Sequence, residues 1–297
     1  MLNSGPSKIL DRPLDLLESL GFSVGQIRRS DMYQWDPENY KDCSSPQKSW
    51  AEAFIAEIPL QGNERILDIG CGDGKITAGL AKLLPHGSIL GLDSSSEMIC
   101  YACAHWQLRN LEFRLGDASA LDFLEEFDLV VSFACLHWVL DHEPVLKGIS
   151  RALKPGGRAY LQFAGRGNAA AVLQAAHQTM EEERWRGYFP DFDFPYGFFD
   201  VSEYRPWIEQ SGLRILRLEL VCRQMVQPSR QGMAGWMATT WMPYTDRLPQ
   251  ELRSAFMDEV IARYTEGHPP ARDGSISVSM VRLEAVLEKP ISGGDHL

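Results

Sequence analysis

The chain is short of positive charge: 29 Lys and Arg stand against 40 Asp and Glu, a formal net charge of −11. That sign repels a phosphate backbone unless basic residues gather on one face, and no basic run is present, so no nucleic-acid partner is expected. Apolar stretches near eighteen residues are also missing, as are the basic start and apolar run of a signal peptide. No membrane partner and a soluble, cytoplasmic location are the expectations. Cysteine is sparse: Cys43, Cys71, Cys100, Cys103, Cys135 and Cys222 are irregularly spaced, with no histidine at zinc-ligand distance, and no metal is expected. Cys100 and Cys103 form a lone Cys-x-x-Cys inside a helical pattern, read as packing residues in preference to a redox or metal site. Repeats and low-complexity segments are absent.

What is there suffices for a large core, with 44% hydrophobic residues over 297 positions. Leu10, Leu14, Leu17 and Leu20 keep a helical spacing, and YQWDPENYKDCSSPQKSW then reads as a loop leading into a helix near 45–58. From there strands and helices alternate. Strands are expected at 65–69, 88–93, 111–115, 127–133 and 158–163, with helices at 76–84, 97–107 and 144–153. Lys154-Pro155-Gly156-Gly157 should turn the chain sharply before the fifth strand. The rhythm implies a doubly wound, mostly parallel sheet.

After Gly165 the pattern changes: a helix at 168–186, the aromatic stretch YFPDFDFPYGFFD, a helix at 201–211, a strand at 213–222, a helix at 249–266 and a strand at 275–287. So many Phe and Tyr residues do not suit a solvated linker, so part of that stretch should pack on the sheet or line a pocket. The expected organisation is one domain over 1–297: an N-terminal lid segment (1–50), a cofactor-binding core (51–165), and a substrate cap with the C-terminal strands (166–290).

The segment with most chemistry is ILDIGCGDG, residues 66–74, an apolar strand running into three alternate glycines and then a helix. Glycine permits left-handed backbone and removes side chains that would keep a ligand from the main chain. A glycine pattern alone is weak. Asp68 lies two residues before the first glycine, where a dinucleotide loop carries an apolar residue or glycine; a carboxylate there repels a pyrophosphate and attracts a cation. This opposes a nicotinamide dehydrogenase. Asp93 ends the second strand, nineteen positions after Gly74, where an acid can accept from ribose hydroxyls. Asp117 follows the third strand and can accept from an exocyclic amine. Each acid taken singly is equally a cap or turn residue; three at successive strand ends make a ligand edge the stronger reading.

ILDIGCGDGKITAGLA, GLDSSSEMI, GDASAL, FDLVVSFACLHWV and ALKPGG, in this order, resemble the class I S-adenosylmethionine-dependent methyltransferases over roughly residues 33–165. WDPENY and GWMATTWMPYTDRLPQELRSAF are similar to segments of the trans-aconitate methyltransferase group. The resemblance implies a Rossmann-like, seven-stranded sheet with a helical cap, S-adenosyl-L-methionine as cofactor, and methylation of a small molecule. It places Asp68, Gly70, Cys71 and Gly72 at the methionine part, Asp93 and Ser94 at the ribose, Met98 at an adenine face, and Asp117 with Ala118 at the adenine edge. Phe133 and Ala134 would flank the methyl donor, and Tyr40 and Gln47 would belong to a lid. In one place the chain departs from the group: Met242, instead of an arginine, precedes Pro243, which removes an expected anchor for a tricarboxylate.

Trp35, His137, Trp138, Trp236, Trp241 and Tyr244 are the candidate acceptor-side residues, each also readable as loop or core packing. His137 could remove a proton from a phenol, carbon or amine acceptor; a carboxylate acceptor is already ionised and needs no base. Arg166, Arg184, Arg186 and Arg247 are candidate carboxylate anchors, each also readable as a solvated surface residue. The expected reaction is O-methylation of a carboxylate or similar oxygen. A base-dependent methyltransferase and a non-catalytic S-adenosylmethionine-binding protein are the alternatives, and the oligomeric state is left open.

Overall fold

The computed structural model describes residues 45–291. The expected N-terminal helix and the loop holding Trp35 and Tyr40 lie outside them. Helix α1 (Ser45–Ile55) leads to β1 (Arg65–Ile69), α2 (Lys75–Ala81), β2 (Ser88–Asp93), α3 (Ser96–His105), β3 (Leu111–Leu115) and β4 (Phe127–Phe133). Then follow α4 (Glu143–Ala152), β5 (Leu153–Ala164), α5 (Ala170–Met180) and α6 (Val201–Gln210). The remaining elements are β6 (Arg214–Gln227), α7 (Arg230–Thr240), α8 (Met242–Thr245), α9 (Gln250–Gly267) and β7 (Ile276–Glu288).

The seven strands form one sheet in the order β3-β2-β1-β4-β5-β7-β6, parallel except for β7, which runs antiparallel to both its neighbours. The Rossmann-like expectation holds. β4 is buried along almost its whole length, because helices cover both sheet faces and an alternating pattern would leave polar groups without water. On one face Leu67, Ile69, Val130 and Leu161 pack under Val145 and Ile149 of α4 and Tyr204 and Ile208 of α6. Opposite them, Ile66, Ile89, Leu129 and Val131 pack under Phe54 of α1, Ala78 and Leu80 of α2 and Ile99 of α3. Strand order reverses between β1 and β4, so the loops after β1 and β4 diverge there and open a crevice at the carboxyl edge.

Two expectations about backbone shape need correction. The turn at Lys154 to Gly157 lies within β5: Phe127 faces Leu153 and Leu129 faces Arg158, so the intervening residues form a bulge, with Gly156 at φ 80°. β6 is also longer than its apolar pattern suggested, running to Gln227 instead of ending near Cys222. β6 and β7 pair from Arg214 with Glu288 to Gln227 with Ile276, whereas β5 pairs with β7 only as far as Ala164 opposite Arg282. The two strands therefore overhang the sheet. On that overhang a second core forms, in which Met225, Val278 and Met280 meet Val172 of α5, Trp236 and Met237 of α7 and Phe256 and Val260 of α9. The expected long helix at 168–186 ends at Met180, and Trp185 of the following turns is fully buried in this cap core.

Candidate functional site

Asp68 is the most buried of the three acids, with 2% of its surface exposed. The Thr77 hydroxyl donates to its Oδ2 at 2.7 Å, so the first helix after the loop clamps the carboxyl that ends β1. Burial, opposed by that hydrogen bond and reinforced by repulsion from Asp93, pushes its pKa up to about 7. Asp93 accepts from Gly72 N–H at 2.8 Å and Ser95 N–H at 2.9 Å, tying the glycine loop to the end of β2. Burial raises its pKa as well. Asp117 is exposed and accepts from both N–H and hydroxyl of Ser119 through Oδ1, which caps the short turn Ala118–Ala120. Register aligns these ends, pairing Asp68 with Gly91 and Asp93 with Leu115.

The loop itself is left-handed at Gly70 (φ 75°) and Gly72 (φ 53°), for different reasons. A β-carbon on Gly70 would stand 2.1 Å from Sγ of Cys135, in the loop after β4. One on Gly72 would meet no atom within 4 Å, so that main chain borders open space. Met98 is buried in the first turn of α3 and Ala118 and Phe133 are buried beside this edge, while Ser94 is exposed. Gln47 lies on α1.

Across the crevice, Ala134 takes φ 53°, unusual for a residue with a β-carbon, and its N–H donates to Gln162 O at 2.8 Å. The turn Leu136–Trp138 follows. It is held from behind by the fully buried His142, whose Nε2–H donates to Leu136 O at 2.8 Å and Val139 O at 3.0 Å. With that nitrogen protonated, Nδ1 accepts from the Tyr204 hydroxyl at 3.0 Å. Burial, against those two carbonyls, lowers the pKa of His142 to about 4 and keeps the ring neutral.

Next to Ala134 a cavity of about 60 Å³ is walled by His137, Trp138, Tyr196, Phe198, Trp236, Trp241 and Met280, with Asn168 and Arg282 as its other polar side chains besides Thr240. Burial first, then the charge of Arg282, push the pKa of His137 well below its ordinary value. Its Nδ1 is buried with no hydrogen-bond partner among the described residues. Of the candidate acceptor-side residues, His137, Trp138, Trp236 and Trp241 share this cavity. Tyr244 does not: it is fully buried in the cap core, its ring tilted against those of Trp241 and Phe192.

The four candidate arginine anchors are all exposed and lie elsewhere. Arg166 pairs with Glu203, Arg184 with Glu259, and Arg247 donates to Pro190 O over the Phe192 ring. Arg186 sits in a surface turn. Instead, the guanidinium at the cavity belongs to Arg282, 3% exposed, on the last rung that β7 shares with β5. Strand parity could have found it, since Ile276, Val278 and Met280 are buried at alternate positions and Arg282 continues the series. Tyr196 and Phe198 come from the aromatic stretch after α5, whose packing the composition did anticipate.

A model of a methyltransferase domain matches residues 66–157. The chain is similar to a trans-aconitate 2-methyltransferase of Deinococcus radiodurans, 31% identical over 228 residues, covering 75% of this chain and 87% of the relative. Another trans-aconitate 2-methyltransferase, from Methylobacterium nodulans, is 28% identical over 276 residues, covering 87% of this chain and 99% of that one. Among solved structures, a Haemonchus contortus phosphoethanolamine N-methyltransferase 2 in complex with S-adenosyl-L-methionine superposes with a TM-score of 0.56 at 16% identity, over 91% of this chain and 61% of its own.

Proposed function

The chain belongs to the class I S-adenosylmethionine-dependent methyltransferases of the trans-aconitate methyltransferase group, and from that premise we propose that it methylates a carboxylate oxygen of a small molecule. S-adenosyl-L-methionine is its cofactor, and when bound it supplies a methyl group on a positively charged sulfur, which takes the bonding electron pair as the acceptor oxygen takes the methyl. The residues at the crevice fit that group. Asp68 offers a buried negative charge to its ammonium, and the open side of Gly72 lets its methionine part, with Cys71 alongside, approach the main chain. Asp93, beside Ser94, keeps a second lone pair on each oxygen for ribose hydroxyls, and the free Oδ2 of Asp117 and the Ala118 turn suit an adenine edge, with Met98 beneath. Phe133 and Ala134 border the donor end.

The observation that carries the acceptor assignment is Arg282: a guanidinium buried in a small aromatic cavity against Ala134. Arginine matches a carboxylate through two parallel N–H bonds, and the aromatic walls remove water from the reacting charges. His137, kept neutral by burial and by Arg282, bounds the cavity without bringing a second positive charge. An ionised carboxylate asks for no base, so alignment is the main task of the protein. The test is methyl-labelled cofactor with a panel of carboxylic acids. Label released as methanol by mild alkali marks an ester and supports the assignment; label stable to alkali on a phenol, carbon or amine overturns it and points to His137 as base. In the second case His137→Ala should cost about a hundredfold in kcat.

A further inference from the structure

Beyond Ala164 the chain stays beside β7 without being a strand: Gly165 N–H donates to Val281 O at 3.0 Å and Ala169 N–H to Ser279 O at 3.2 Å. Between these two contacts it loops out, with Asn168 N–H turned back to Gly165 O at 3.0 Å and positive φ at Gly167 (85°) and Ala169 (50°). Val281 N–H is met by a side chain of that loop, Asn168 Oδ1 accepting from it at 3.2 Å. A main-chain donor requires the amide oxygen, so the orientation of the side chain is settled and Nδ2 carries its two N–H groups on the other side. Asn168 is only 6% exposed and lines the cavity with Ala134, yet Nδ2 donates to no described residue. A buried amide that spends its acceptor on the fold and leaves its donors to the cavity calls for an oxygen brought by the ligand.

The chemistry proposed above says which oxygen. A carboxylate has two oxygens with two lone pairs each, and a guanidinium fork, taking one lone pair from each, treats them alike. Only one of them can meet the methyl carbon in line with sulfur. A single further donor breaks the symmetry: the oxygen it holds is the poorer nucleophile, the group can no longer turn about its bond to carbon, and the other oxygen is the one presented to the methyl group. A neutral amide suits the task, because it withdraws less of the charge that drives the attack than a second cation would. The held oxygen becomes the ester carbonyl, which still accepts from N–H, so the contact lasts through the reaction. We propose that Asn168 orients the acceptor: its amide donates to the carboxylate oxygen that is not methylated and so selects the one that is. This rests on the carboxylate reading and deepens it.

The experiment uses the full chain with S-adenosylhomocysteine bound and acetate as the probe, since acetate is little more than the group in question. The chain has five asparagines, so asparagine labelled with nitrogen-15 gives five side-chain amide pairs, and the pair missing from the Asn168→Asp spectrum belongs to Asn168. One proton of that pair is expected to move downfield as acetate saturates and to stay in place with sodium chloride at the same concentration. Saturable acetate binding that leaves this resonance where it was overturns the proposal and leaves carboxylate methylation standing; no saturable binding of acetate overturns both. Two variants separate orientation from anchoring. Asn168→Asp keeps the oxygen that Val281 N–H needs and loses the amide donors, whereas Asn168→Leu loses both without adding charge. Each is expected to weaken acetate binding at least tenfold while S-adenosylhomocysteine affinity, read by calorimetry, stays within about threefold. Wild-type acetate affinity in Asn168→Asp would show that the residue only anchors the loop and would remove it from the site; should the leucine variant not fold, the aspartate variant, with its anchor intact, still decides.

Discussion

Asp68 illustrates how a single side chain trades stability for binding. Its pKa is about 7 in the fold against 3.8 in the unfolded chain, so the folded form holds the proton more tightly. Between those values the folded state binds more protons, and stability falls as pH rises, by about 4 kcal/mol across the window. A cation seated beside the carboxylate recovers that loss. Affinity for S-adenosylmethionine should therefore weaken about tenfold per pH unit below 7, which calorimetry from pH 5.5 to 8 would measure; a flat profile counts against the contact. Asp68→Asn is expected to raise the Tm of the ligand-free protein at pH 8 and to weaken cofactor binding by a hundredfold or more. The placement of Asp68 beside the glycine loop was visible in the sequence because strand, acid and glycines are contiguous. For the four arginines the solvated-surface reading holds, and what the sequence did not mark is their partners: Glu203 and Glu259, which hold Arg166 and Arg184, lie 37 and 75 positions away.

At the scale of elements, the proposed acceptor side depends on one short turn. Leu136–Trp138 carries His137 and Trp138, and the carbonyls at Leu136 and Val139 are fixed by one imidazole that α6 reaches through Tyr204. Removing the hydroxyl with Tyr204→Phe leaves Nδ1 of His142 buried and unsatisfied, at a cost of about 1–3 kcal/mol by urea unfolding. Because the disturbance falls on the turn, kcat is expected to drop several-fold while KM for the cofactor hardly changes. Acid adds a second signature. His142 has its pKa lowered from 6.5 to about 4, so its contribution is whole above pH 6.5 and is lost as pH falls toward 4. None of this was legible beforehand, since His142 and Tyr204 are 62 positions apart and neither belongs to a motif. The alternation of strands and helices up to Gly165 was legible, because both faces of a parallel sheet demand continuous apolar runs. The cap was legible in part: α5, α9, β6 and β7 have counterparts in the pattern, whereas α7, Arg230–Thr240, was missed because it lacks a clear apolar stripe.

Over the whole molecule, the sheet and the cap are built on the same two strands. β7 pairs with β5 through Arg282 and then, from Val281 back to Ile276, pairs only with β6 while packing the cap core. A cap tethered by loops would open as a separate unit, with its amides exchanging faster than the sheet. Here the amides of Val278 and Met280, which face β6, are expected to exchange with rates close to those of Leu283 and Ala285, which face β5, by native-state hydrogen exchange; early exchange of the overhang as a block would show an independently opening cap.

Such a ladder works as a ruler. Successive rungs on one face of a strand are about 6.6 Å apart, so the position of the guanidinium relative to Gln162 and the end of β4 is set by main-chain pleating before any ligand arrives. The aromatic lining can then be exchanged to admit a different body without disturbing the spacing between the Arg282 rung and the end of β4.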